Sequence, residues 1–274
     1  MIRFPNAKIN LGLDIVSRRE DGYHNISTLF YPVKICDALE IVPAQTETVM
    51  LLTSGNLVDC PVEKNLVMKA YRMLEAEFNL PPVDIYLQKQ IPDGAGLGGG
   101  SADASVTLQI LRDMFKLDLT NEELALRAAK LGADCPFFIY NKPMFAEGIG
   151  NEFTEAQTSM KGYWMVLVKP DVYVSTKLAY SRVKPAYPVV KICEIVSRPV
   201  KEWKGLLKND FEPSVFAEFP ELEEIKNKFY AAGAEYASMS GSGSSMFGIF
   251  SSVNMAESVY ATFDTYKKYL VELQ

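Results

Sequence analysis

The 274 residues suffice for one large domain or two ordinary ones, and 48% hydrophobic with 23% charged residues is the composition of a globular protein with a core. No apolar run approaches the ~18 residues of a membrane span, and Met1-Ile2-Arg3-Phe4-Pro5-Asn6 is not leader-like, so a cytoplasmic protein without membrane association is expected. A net charge of −6 without a Lys/Arg cluster argues against nucleic acid as a partner and leaves any anionic ligand to be held by local groups.

In chain order, residues 7–15 alternate strictly. Ala7, Ile9, Leu11, Leu13 and Ile15 occupy one face and Asn6, Lys8, Asn10, Gly12 and Asp14 the other, as in a half-buried strand. Polar residues 17–22 turn the chain, with Asp21-Gly22 as the hairpin signal, and 26–35 and 37–42 read as further strands. Cys36, Cys60, Cys135 and Cys193 are far apart and the chain has one histidine, which argues against a zinc site and fits a reducing compartment. Helical spacing over 65–78 ends at Asn79 and Pro81-Pro82. Val83, Ile85 and Leu87 then alternate in a strand that runs into a glycine-rich segment at Pro92. Residues 101–115 form a helix with Ala104, Leu108, Leu111 and Phe115 on one face, and Thr120 with Glu123 makes a capping box for a helix that stops at Gly132.

Residues 163–168 read as a buried strand, and 184–199, poor in periodicity, as a surface connection. A helix over 221–230 precedes strands over 236–239 and 246–250, which flank Gly241-Ser242-Gly243-Ser244-Ser245. A final helix is expected over 254–273, burying Val259, Phe263, Tyr266 and Leu270. The pattern is that of an α+β protein of two domains, 1–155 and 156–274, with the boundary where Gly148, Gly150 and polar residues interrupt it.

The segment Ile91-Pro92-Asp93-Gly94-Ala95-Gly96-Leu97-Gly98-Gly99-Gly100-Ser101-Ala102-Asp103 lies between a strand and a helix. Its glycines allow backbone N–H groups to converge on an anion, and the helix adds its positive N-terminal end, a combination suited to a triphosphate. A turn or a tight packing site is the alternative, although so many glycines are costly to order for packing alone. Gly94, Gly96 and Gly99 match G-x-G-x-x-G, but a helix over 122–131 stands where a dinucleotide fold needs a strand ending in an acid. No G-K-[ST] follows the glycines, and neither H-R-D nor D-F-G is present, so the P-loop and protein-kinase readings fail.

Pro92 to Ala102 resembles the phosphate loop of the GHMP kinase superfamily, P-x-x-x-G-L-G-[GS]-[GS]-[SA]-[SA]. Within that superfamily, Pro5-Asn6-Ala7-Lys8-Ile9-Asn10-Leu11 with Asp21-Gly22-Tyr23-His24 is similar to the signature of the branch acting on a cytidine-diphosphate-linked methylerythritol. Gly132-Ala133-Asp134-Cys135-Pro136-Phe137-Phe138, Asn209-Asp210-Phe211-Glu212-Pro213 and Met239-Ser240-Gly241-Ser242-Gly243-Ser244 resemble three further segments of that branch, in the right order. The resemblance implies an N-terminal mixed sheet with helices, a ferredoxin-like C-terminal domain, and ATP with Mg²⁺ acting on a small-molecule hydroxyl. It gives no metal ligands and no oligomeric state.

Lys8 sits on the polar strand face and could equally be a solvated lysine; Asp134, between Gly132 and Pro136, could be a turn or N-cap aspartate. By resemblance, Asp134 matches the general base and Lys8 the partner that polarises the hydroxyl and keeps the carboxylate ionised. Pro92 through Ala102 would bind ATP. Asn10, Tyr23, His24, Thr176, Tyr180, Gly241, Ser242 and Gly243 fall on the substrate side, although Ser175 and Lys177 stand where the branch has prolines around the threonine. The rival readings are a GHMP kinase for mevalonate, homoserine or a sugar, and an inactive nucleotide- or sugar-binding sensor.

Overall fold

The structure, a computed structural model, describes residues 1–56 and 60–274. In chain order its elements begin with β1 (Ile2–Arg3), β2 (Asn6–Arg18), β3 (His24–Cys36), β4 (Ala38–Pro43), β5 (Met50–Gly55), α1 (Leu66–Phe78) and β6 (Val83–Lys89). There follow α2 (Gly99–Phe115), α3 (Asn121–Ala128), α4 (Cys135–Tyr140), β7 (Met144–Glu147), β8 (Glu152–Glu155) and β9 (Trp164–Lys169). The chain finishes with α5 (Thr176–Arg182), α6 (Ile192–Ile195), α7 (Glu212–Glu218), α8 (Pro220–Ala231), β10 (Tyr236–Met239), β11 (Met246–Phe250), α9 (Val253–Ala261) and β12 (Lys267–Glu272). Among the described residues no helix is long and apolar enough to cross a membrane, and none of the four cysteines is in a disulfide.

Two compact units interleave along the chain: Met1–Ala7, Ile35–Asp93 and Gly98–Lys142 form one, and Lys8–Lys34, Gly94–Leu97 and Pro143–Gln274 the other. The first is built on a sheet of order β1-β4-β6-β5, mixed because β5 runs parallel to β6 while the other pairs are antiparallel. Leu39, Ile41, Val83, Ile85 and Leu87 from the sheet share a core with Tyr71 and Leu74 of α1, Leu108 and Leu111 of α2 and Leu124 of α3. The capping box is in place: the Thr120 hydroxyl accepts the Glu123 N–H, and the Glu123 carboxylate accepts the Thr120 N–H.

The second unit holds two sheets, β2-β3-β7-β8 and β10-β11-β9-β12. Numbered within itself, the latter runs 2-3-1-4 with helices in the crossovers, the ferredoxin-like arrangement. Val166, Val168, Met239, Met246 and Phe250 bury against Leu222, Ile225 and Phe229 of α8 and Val259 of α9, and Leu13, Ile15 and Ile26 belong to the same core.

Two expectations are corrected. The helix expected over 254–273 ends at Ala261, and Lys267–Glu272 is an edge strand registered against β9 from Lys169 to Trp164. Phe263, just past the helix end, fills a core position that made the spacing look continuous. Tyr269, Leu270 and Val271 favour a strand once a sheet edge is available. Residues 184–199 are not a plain surface connection: Ile192, Ile195 and Val196 are buried around the one-turn helix α6, which is too short for a period to show. β5, on the sheet edge and largely exposed, lacks the alternation that would have marked it.

Gly248 lies in the middle of β11, where a Cβ would stand 2.8 Å from the Phe229 ring. Gly248→Val is therefore expected to lower stability by about 1–3 kcal/mol through overpacking. Urea denaturation of both proteins measures the difference.

Candidate active site

The alternation of β2 fixes its apolar residues in the core and aims Lys8 and Asn10 the other way. Both are nonetheless buried, Lys8 at 4% exposure, which removes the solvated-lysine reading. The Lys8 Nζ donates to Asn10 Oδ1 at 2.8 Å and lies 4.6 Å from the centroid of the Phe30 ring. Asn10 Nδ2 in turn donates to Thr28 Oγ1 at 3.0 Å, so both polar side chains are held in one rotamer by neighbours on β2 and β3.

The glycine loop is anchored by its non-glycine members. Ala95 and Leu97 are buried, while Gly94, Gly96 and Gly98 take positive φ of 58°, 75° and 71°. In the second unit three successive carbonyls are engaged. Ala95 accepts the Ser245 N–H at 3.3 Å, Gly96 the Ser240 hydroxyl at 2.9 Å, and Leu97 the Lys8 N–H at 2.9 Å. Past the turn at Asp93–Gly94, the backbone N–H groups from Gly96 to Ser101 are taken up by no backbone acceptor among the described residues. A run of amides left over in this way, ending in the first turn of a 17-residue helix, is the chemistry of an oxyanion cradle.

Opposite Gly96 runs the second glycine loop. A Cβ on Gly96 would lie 2.0 Å from the Ser240 carbonyl oxygen, and one on Gly241 3.3 Å from the Gly96 Cα, so the two backbones touch. Asn209, 2% exposed, holds that second loop: its Nδ2 donates to the carbonyls of Met239 and Gly241, both at 2.8 Å. Glu212 accepts the Met239 N–H and the Ser238 hydroxyl. Thr176 Oγ1 lies 3.2 Å from Ser242 Oγ. The His24 ring stacks on Tyr180 with centroids 5.1 Å apart, and Tyr180 meets Phe211 edge-on, whereas Tyr23 is exposed. Burial moves the His24 imidazole below its usual range, with Arg18 adding to the effect.

In the first unit the start of α2 adjoins the Gly132–Cys135 turn: a Cβ on Gly132 would be 3.3 Å from Cys135 Sγ and 3.9 Å from Ser101 Oγ. Asp134 occupies the N-cap position of α4, yet its side chain makes no capping hydrogen bond there, which removes the cap reading. Burial pushes the Cys135 thiol up to about 11, so it stays a thiol at neutral pH. Beside the same helix start lies a cavity walled by Leu51, Leu66 and Leu87, with Thr53, Lys64, Asn65, Lys89, Asp93 and Asp103 among its polar members. Sequence reading missed this cavity. Asn65, which the spacing places inside the helix, is the N-cap of α1, and nothing in that spacing shows that it also faces a cavity.

Residues 65–142 match the family model for the GHMP kinases N terminal domain, and residues 194–267 that for GHMP kinases C terminal. The chain belongs to the GHMP kinases. It is therefore a kinase, and its α+β architecture with a mixed N-terminal sheet and a ferredoxin-like C-terminal sheet is that family's fold. It is 58% identical, over 92% of each chain, to a protein of Bacteroides fragilis named 4-diphosphocytidyl-2-C-methyl-D-erythritol kinase. A protein of Parabacteroides distasonis with the same name is 54% identical over 91% of this chain and 92% of its own. Among solved structures, a 4-(cytidine 5'-diphospho)-2C-methyl-D-erythritol kinase superposes with a TM-score of 0.83 at 32% identity, covering 100% of this chain and 99% of that one.

At Gly96 a side chain is excluded twice, by the positive φ and by the Ser240 carbonyl. Gly96→Ala is expected to lower kinase activity at least about tenfold by displacing both loops. Steady-state rates, with melting temperatures alongside, check this.

Proposed function

We propose that this kinase transfers the γ-phosphoryl group of ATP to a hydroxyl of 4-diphosphocytidyl-2-C-methyl-D-erythritol, in the non-mevalonate route to isoprenoid precursors, in the cytoplasm. The observation that carries the choice of acceptor is the 58% identity over 92% of the chain to a protein of that name. The run of unengaged amides from Gly96 to Ser101 supports ATP as the donor. The residue 1–155 segment would be the N-terminal kinase domain and 156–274 the C-terminal one, in keeping with family matches at 65–142 and 194–267.

Phosphoryl transfer depends on positioning and charge neutralisation. The triphosphate would lie on the loop from Pro92 to Ala102, with the base in the cavity of Leu51, Leu66 and Leu87. Among the described residues no three His, Cys, Asp or Glu side chains cluster as a metal cage. That suits Mg²⁺ arriving on the triphosphate, where phosphate oxygens and water supply most of its ligands. Asp134 would take the proton of the acceptor hydroxyl as its oxygen bonds to the γ-phosphorus and the bond to the bridging oxygen of ADP breaks. Lys8, as partner of that base, would stabilise the negative charge on the attacking oxygen. Its rotamer is already fixed by Asn10 and Phe30.

The acceptor would be held by Asn10, Tyr23, His24, Thr176, Tyr180 and the amides of Gly241, Ser242 and Gly243. The stacked pair of His24 and Tyr180 supports an aromatic platform for its cytosine. Tyr180→Ala should then raise the acceptor KM by roughly 5- to 150-fold, with less effect on kcat, because stacking is felt equally before and during transfer.

An ATP-consumption assay with the cytidine-linked methylerythritol, mevalonate and homoserine decides the acceptor. Turnover confined to the first supports the proposal, faster turnover of either other acceptor replaces it, and no turnover with any favours a nucleotide-binding sensor. Asp134→Asn is expected to keep the melting temperature and lower kcat by ~10²–10⁴, the usual worth of a positioned base. Near-normal turnover would remove Asp134 from that role.

A further inference from the structure

We propose that the buried ion triad of Asp37, Lys89 and Asp103 is the positioning element of the phosphate loop, joining the strand that enters the loop to the helix that leaves it. The proposal rests on the reading of Gly96 to Ser101 as a triphosphate cradle. Asp37 follows β3, and one of its oxygens, Oδ1, accepts the backbone N–H groups of Gln90 and Ile91, the last residues before Pro92. Its other oxygen accepts the Lys89 ammonium, which also donates to Asp103 Oδ2 at 2.7 Å, on the second turn of α2. One lysine thus ties the end of β6 to α2, and one carboxylate pins the backbone between them.

The first turn of α2 lies directly on what the triad holds. A Cβ on Gly99 would come within 2.9 Å of Ile91 Cγ2 and 3.3 Å of Lys89 Nζ. Gly99 is not a positive-φ residue, so glycine is required there for this close approach rather than for a turn.

Stability alone does not account for the arrangement. The three side chains are 1%, 5% and 2% exposed, in the order Asp37, Lys89, Asp103, and carry two acids for one base. Asp103 Oδ1 has no hydrogen-bond partner among the described residues. Buried charge groups of this kind are often no more stable than an apolar replacement, and in some proteins they are what specifies one geometry. Burial works against the Lys89 charge, but Asp103 and Asp37 outweigh it and hold the ammonium above its usual range. Burial, with Asp37 adding to it, raises the Asp103 carboxyl to about 7 against the pull of the Lys89 charge. The lysine thus keeps its charge between the two acids, and the hydrogen bonds of the brace fix where the amides at either end of the loop point.

Asp103→Ala should raise the KM for ATP at least about tenfold while leaving the acceptor KM within about twofold, the signature of misplaced donor binding. Asp103→Asn keeps an oxygen for Lys89 and should restore the ATP KM to within about threefold of wild type. If Asp103→Ala fails to fold, Asp37→Ser, outside both the loop and the cavity, serves in its place by releasing Lys89 and the Gln90 and Ile91 N–H groups, and should show the same ATP-specific rise. An unchanged ATP KM in a folded variant overturns the proposal. So does an equal rise in both KM values that the asparagine does not reverse. Calorimetry with a nonhydrolysable ATP analogue separates the two levels. If wild type does not bind it, the cradle reading falls and the brace with it. If wild type and Asp103→Ala bind it equally, the brace alone falls.

Discussion

The contact on which the second unit's part of the site depends is the van der Waals approach of two main chains, Gly96 against Ser240. Nothing larger than a hydrogen fits at Gly96, so the loop must be glycine where it touches and can be alanine or leucine only where it turns into the core, as at Ala95 and Leu97. The contact also dictates the bonding around it. The Ser240 hydroxyl donates to the Gly96 carbonyl and receives the Asn10 N–H, so one serine ties the two loops to the strand that carries Lys8. Asn209 then holds the far side of the Ser240 turn through two carbonyls. With the carbonyls engaged, the amides are what the loop has left to offer.

This explains how a chain of net charge −6 can present a place for a highly charged anion. The attraction comes from peptide dipoles and a helix end, which act over a few ångströms, and not from a basic surface. It also explains the burial of Lys8. A lysine anchored by Asn10 and by the Phe30 ring has lost its rotamer freedom in advance, so in the role proposed for it little further ordering would be needed.

Much of this was legible in the sequence because the relevant signals are local. The alternation of Ala7 to Ile15, the Thr120–Glu123 capping box and the glycine run each sit within a few residues, and each folds as its spacing implies. The errors have one cause, which is tertiary context. Tyr269 to Val271 become a strand because β9 offers an edge, and α6 forms because Ile192 and Ile195 find a core. The cavity of Leu51, Asn65, Leu87 and Asp103 draws on a strand edge, a helix cap, a second strand and a second helix, none of which marks the others in the sequence. The triad was hidden for the same reason: Asp37 and Lys89 are 52 residues apart.

The threading of the chain bears on how the protein is made. Residues 8–34 leave the ribosome well before their partners, since Leu13, Ile15 and Ile26 belong to a core whose other members run from Val166 to Phe263. During synthesis these early strands must wait, with apolar faces uncovered, until more than half of the chain has followed them, whereas the segments of the first unit are complete by Lys142. Long-range pairing of that kind slows folding and leaves sticky surface exposed on the nascent chain. Yield in a cell should accordingly be set by chaperone supply and translation speed over the second half of the message more than by the stability of the finished enzyme.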